Sequence, residues 1–142
     1  MNIKQTTDSH STTYQDALMI RQDVFVKEQK IPLAIEIDQE NECLHFVLYD
    51  NDQPQGTVRL LDKGNHVFKI QRMAILKKAR KRGYAKKLVL FSEAAAKKDG
   101  AQILVLGAQE SAVGFYESIG YTVESDAYFE AGIKHFEMSK KI

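Results

Sequence analysis

The stretch QILVLGA, residues 102–108, is apolar almost throughout. A strand with no polar alternation belongs at the centre of a sheet, with both faces covered. Helices must supply that cover, and the neighbouring segments have the right pattern. Residues 83–99 place Ala85, Leu88, Val89, Ser92, Ala95 and Ala96 on one helical face. Lys97 and Lys98 fall in the last turn, where the helix dipole favours cations, and Gly100 follows as a stop. Residues 111–119 read as a short helix closed by Gly120.

The rest of the chain supplies the sheet. Residues 1–7 read as a first strand, and Ser9 or Ser11 caps a helix running to about Gln29, before Pro32. Residues 31–42 form an irregular loop carrying Glu36, Asp38, Glu40 and Glu42. Strands at 43–50 and 56–62 flank a turn at 51–55 and make a hairpin; a third strand covers 66–75. Two final strands occupy 121–125 and 132–140. The order βα-βββ-αβ-αββ predicts an α/β (α+β) fold: a mixed, mostly antiparallel sheet of about seven strands flanked by helices. Residues 1–142 read as a single domain.

Charge is distributed unevenly. The net charge is +1, yet seven of the eleven residues between Leu76 and Leu88 are Lys or Arg. Outside that stretch 13 basic residues face 19 acidic ones. That concentration argues for a local anion site and against a general nucleic-acid coat. Cys43 is the single cysteine, so no intramolecular disulfide forms. The four histidines, His10, His45, His66 and His135, are too scattered to suggest a metal motif. No apolar run approaches 18 residues and the N-terminus lacks a signal pattern, so a reducing cytoplasm is the expected compartment.

The basic stretch lies between a strand and a helix, with Gly83 at the helix start. The first amides of a helix have no internal partners and carry partial positive charge, which suits a phosphate. Arg80 and Arg82 can add paired hydrogen bonds. On these residues alone a solvated basic loop fits equally well. A nucleic-acid patch fits less well, because Tyr84 is the one interleaved aromatic and no base-reading motif is present.

Two motifs narrow the choice. Arg80-Lys81-Arg82-Gly83-Tyr84-Ala85 resembles the Gln/Arg-x-x-Gly-x-Gly/Ala signature of the GNAT superfamily of acetyl-CoA-dependent N-acetyltransferases. Ala112-Val113-Gly114-Phe115-Tyr116-Glu117-Ser118-Ile119-Gly120-Tyr121 resembles that family's A-x-x-F-Y-E-x-x-G-F element. The order of elements matches over nearly the whole chain.

The resemblance implies direct attack of an acceptor amine on acetyl-CoA, with no metal. It implies that Arg80, Lys81, Arg82, Gly83, Tyr84 and Ala85 hold the pyrophosphate of coenzyme A. Met73 matches the position whose backbone N–H meets the developing oxyanion; Ala74 and Ile75 match those that line the pantetheine arm. Tyr116 matches the family's acid, with Phe115 beside it, and Gln109 matches a polar amide near the cofactor. Many relatives carry a Glu on the fourth strand, but Lys69-Ile70-Gln71-Arg72 has no carboxylate. The base must then be Glu36, Asp38, Glu28, His45 or solvent. The acidic loop suits an amine, polyamine or lysine-type acceptor, whereas Arg21 suits a phosphate or carboxylate on it. Two rivals remain: an idle acyl-CoA-binding sensor on the same fold, and a nucleic-acid-binding module. A homodimer through the last strands and a monomer are equally allowed.

Overall fold

The computed structural model describes residues 1–32 and 40–142. Among the described residues eight strands form one mixed sheet: β1 (Asn2–Thr6), β2 (Cys43–Asp50), β3 (Gln53–Gly64), β4 (Val67–Ile75), β5 (Ile103–Gln109), β6 (Thr122–Val123), β7 (Tyr128–Glu130) and β8 (Ile133–Lys141). The spatial order is β1-β2-β3-β4-β5-β8-β6, with β7 also paired to β8. All pairings are antiparallel except β4 with β5. The expected mixed, mostly antiparallel sheet with helical cover is present, with one strand more than the sequence reading counts.

That extra strand is β7. Its three residues, Tyr128 to Glu130, form a strand by pairing with β8 across a two-residue turn. Ala131 and Gly132 both take positive φ there (51° and 77°), the backbone that joins antiparallel strands tightly. Asn51 and Asp52 do the same between β2 and β3 (φ 52° and 62°). The turn expected over 51–55 therefore shrinks to two residues, and β3 begins at Gln53.

Alternation along β2 divides the core. Phe46 and Leu48 enter a cluster with Leu88 and Val89 of α2 (Tyr84–Lys98) and Tyr116 of α3 (Val113–Ser118). Val47 and Tyr49 face the other way, against Ala17 and Ile20 of α1 (Thr12–Arg21). Ser11 caps α1, its hydroxyl accepting from the Tyr14 amide at 3.1 Å. The single long helix expected to Gln29 changes at Gln22 into a π-helix, Gln22–Glu28. Its wider hydrogen bonds include Gln29 N–H to Val24 O at 3.0 Å. No helix among the described residues is long and apolar enough to cross a membrane.

Beneath α1 the sheet buries charge. Arg21 is fully buried, and its two terminal nitrogens donate to Glu40 at 2.8 and 2.6 Å. Arg59, 1% exposed, reaches the same carboxylate at 3.4 Å. His45 Nε2 lies 3.2 Å from the Glu40 carbonyl oxygen. Arg21, considered above as a reader of acceptor anions, instead holds the end of the acidic loop to the sheet. Glu36 and Asp38 lie outside the described residues.

Burial pushes the Glu40 carboxyl up, but the hydrogen bonds and charge of Arg21, aided by His45 and Arg59, hold it net below 4.5. Burial holds the His45 imidazole below 6.5, so the folded state keeps it neutral. Both groups bind protons less readily folded than unfolded. Their stabilisation is complete above the unfolded values and disappears as pH falls through the folded ones. The melting midpoint will therefore drop on acidification from pH 7, first through His45 and then below about pH 4.5 through Glu40. Glu40→Gln will cost about 3–5 kcal/mol in urea unfolding, because the buried guanidiniums of Arg21 and Arg59 lose the carboxylate they share, and will flatten the lower acid step.

Candidate functional site

β4 and β5 pair only from Val67–Ile103 to Ile70–Leu106. Beyond that point β4 continues to Ile75 and β5 to Gln109 without each other. The departure coincides with a β-bulge. Thr57 faces Ala74 but Arg59 faces Gln71, so β4 spends one residue more than β3, and Arg72 takes φ 54°. Before the bulge, Phe68 and Ile70 point into the α2 core; after it, Met73 and Ile75 do, and Ala74 joins the α1 core. The bulge inverts the facing of the strand.

The gap holds a cavity of about 210 Å³ whose lining comes from both sides of the sheet. Phe25, Gln29 and Ile31 contribute from the α1 side, and Ala112 and Tyr116 from the α3 side. Lys69, Gln71, Arg72 and Met73 form the β4 wall, and Gly107 and Gln109 the β5 wall. The β7–β8 hairpin adds Glu130, Ala131 and His135. Glu130 is the one carboxylate among the described lining residues.

Several polar groups here have fixed orientations. Gln109 Nε2 donates to Gln29 Oε1 at 2.9 Å, bridging β5 to the end of the π-helix. His135 sits opposite Gln109 in the β5–β8 register, and its ring stacks on Tyr128 at 5.7 Å. Its Nδ1 is 2.6 Å from the Ile133 carbonyl oxygen. A carbonyl only accepts, so Nδ1 carries the hydrogen, and in the uncharged tautomer the lone pair lies on Nε2. Tyr116 is 6% exposed, and burial raises its phenol pKa, keeping it protonated. Phe115 and Tyr121 hold its ring edge-on, with centroids 5.0 and 5.7 Å away.

The basic loop runs from the end of β4 to α2. Gly83 takes φ 78° as the residue before the helix. A Cβ there would meet no atom within 4 Å, so the backbone angle and not space requires glycine. Lys81, Arg82 and Gly83 are exposed, and Ala85 is half-buried. Tyr84 turns inward and its hydroxyl donates to the Asp50 carboxylate. Arg80 is pinned: its terminal nitrogens donate to Glu28 at 2.9 and 2.8 Å, and its Nε to the Ile75 carbonyl at 3.0 Å. These hydrogen bonds, with burial opposing, hold the Glu28 carboxyl below its ordinary range.

The structure thus brings Met73, Gln109 and Tyr116 to one cavity and leaves Ala74 and Phe115 in packing roles. Ile75 offers its carbonyl to Arg80. Glu28 and His45, considered above as bases, are an ion-pair partner and a buried core group. Sequence reading missed Phe25, Gln29, Lys69, Gln71, Glu130 and His135 as cavity residues. His135 was one of four scattered histidines; its place depends on the β5–β8 register, which leaves no trace in spacing.

Comparison with known proteins shows the family and the fold. The acetyltransferase (GNAT) domain family matches residues 10–142. An uncharacterized N-acetyltransferase of Bacillus subtilis, YjcF, is 41% identical over 128 residues, covering 89% of this chain and 91% of the relative. A provisionally named N-acetyltransferase of Lactobacillus plantarum has a crystal structure with TM-score 0.91 at 29% identity, covering 99% of this chain and 97% of that one. An aminoglycoside 6′-N-acetyltransferase solved with coenzyme A shares the fold, with TM-score 0.80 at 13% identity and 99% and 97% coverage.

The Glu28–Arg80 pair is about two-fifths exposed on each side, so solvent screens it. Arg80→Ala will change stability by only about 0.2–1 kcal/mol. It will return the Glu28 carboxyl titration, followed by carbon NMR, upward to the ordinary Glu range.

Proposed function

The chain belongs to the acetyltransferase (GNAT) family, and on that premise we propose that it moves an acetyl group from acetyl-CoA to a primary amine by direct attack. The observation that carries the reading is the gap between β4 and β5, open to both faces of the sheet with Tyr116 beside it. Two substrates entering from opposite faces would meet there without passing each other.

The residues fit the donor. The unpaired edge of β4 at Met73, Ala74 and Ile75 offers backbone groups to an extended arm, as an added strand would use them. The first amides of α2, with Lys81, Arg82 and the glycine backbone at Gly83, suit a pyrophosphate. Arg80 serves by fastening that loop to the π-helix, and Tyr84 and Ala85 serve through their backbone. Acetyl-CoA supplies an activated acyl group and a thiol leaving group.

The Met73 amide is assigned to the negative charge that develops on the acyl oxygen. Tyr116 offers its proton to the departing sulfur, since burial keeps the phenol in its donor form. His135 Nε2 takes the proton of the attacking amine, with its tautomer set by Ile133. The new N–C bond forms as the C–S bond breaks, and the electron pair leaves on sulfur. His135 thus fills the place left by the missing carboxylate of β4.

Acetyl-CoA and free CoA will both raise the melting midpoint, and a short DNA duplex will not, at low or high salt. A salt-sensitive rise with DNA alone would overturn the proposal. With a true acceptor, Tyr116→Phe will lower kcat on the order of tenfold or more while the acetyl-CoA melting shift persists; full kcat would remove Tyr116 from its role. His135→Ala will lower kcat/KM on the order of a hundredfold, with partial recovery on adding imidazole.

A further inference from the structure

Two walls of the cavity differ in chemical sense. On β4, Lys69 and Gln71 lie two residues apart, before the bulge, and so share one face. Lys69 is half-buried and makes no ion pair with any described residue. Its ammonium is a donor only.

Gln71 could present either end of its amide, but Arg59 decides which. Arg59 Nε lies 3.0 Å from Gln71 Oε1, and a guanidinium has donors and no acceptor. The glutamine oxygen is therefore committed to Arg59, and the NH₂ group is the end left to serve the cavity. Arg59 cannot turn away, because it is buried and held by Glu40. The buried charge cluster under α1 thus sets the polarity of a side chain in the cavity wall.

Across the cavity, the β7–β8 hairpin supplies acceptors: the Glu130 carboxylate and the His135 Nε2 lone pair. One wall donates and the other accepts. An acceptor molecule suited to both has an amine at one end and an oxyanion at the other. The volume, about 210 Å³, lies below the roughly 300–1,000 Å³ of drug-sized sites, which calls for a small molecule.

Resting on the transfer reading above, we propose that the acceptor is a small primary amine that also carries an oxyanion, a carboxylate or a phosphate, held by Lys69 and the Gln71 amide nitrogen. Polyamines and neutral amines are disfavoured, because they would leave a half-buried ammonium beside a second cation or without a counter-charge.

The test uses the full chain and matched amines: β-alanine against propylamine, phosphoethanolamine against ethanolamine, and putrescine. Thiol release from acetyl-CoA will give a kcat/KM at least tenfold higher for the oxyanion-bearing member of a pair. The pair that shows it separates carboxylate from phosphate. Lys69→Met will abolish the preference through KM, and Lys69→Glu will reverse it toward putrescine, which loss of packing alone would not do. Preference for putrescine or a neutral amine in the wild type, or an unchanged order in Lys69→Glu, would overturn the proposal. If no amine releases thiol, the transfer reading fails separately. Melting shifts with the same amines in wild type and Lys69→Glu then decide the acceptor class: a shift with the oxyanion-bearing amines that Lys69→Glu removes supports it, and its absence overturns it.

Discussion

One extra residue in β4 organises the site. At Arg72 the strand adopts a left-handed backbone and spends three residues where β3 spends two. Such a bulge bends the strand and re-aims its side chains. Here the β4–β5 ladder ends at the same point, so a sheet that would otherwise close becomes open in its middle. Every element of the cavity follows from that opening: the exposed strand edge, the access from two faces, and the meeting of residues that belong to different cores.

Charge is then used in two separate ways around the opening. Under α1, the buried Arg21 and Arg59 share the half-buried Glu40 carboxylate. Such a cluster adds little net stability compared with a well-packed apolar core. It fastens the end of the acidic loop and orients Gln71. At the other end of β4 the basic loop keeps its charges in solvent, apart from Arg80, which Glu28 ties to the π-helix. A loop held at Arg80 and open at Lys81, Arg82 and Gly83 has a fixed backbone with free cations, a suitable arrangement for a polyanion.

The proposed proton chemistry divides between the two faces in the same manner. Tyr116 belongs to the core under α2 and α3, where burial keeps its phenol protonated. His135 stands on β8 with a carbonyl holding its Nδ1 hydrogen. A donor in one layer and a lone pair in the other, on either side of one gap, form the asymmetry that acyl transfer to an amine needs.

The amino-acid sequence by itself determined the layers and the loop. The apolar run of β5, the periodic face of α2, the alternation of β2 and the glycine that only a left-handed turn requires are local patterns, and local patterns survive in one dimension. The two motifs, Arg80–Ala85 and Ala112–Tyr121, were legible for the same reason. Tertiary structure alone decided the rest. A three-residue strand such as β7 exists through its pairing with β8. The bulge at Arg72 has no glycine to announce it. Arg21 and Glu28 looked like free functional charges until partners 19 and 52 residues away claimed them. Lys69, Gln71 and His135 became cavity residues through strand register and strand separation. Those are relations between distant segments, set by which backbone edges find partners and which do not.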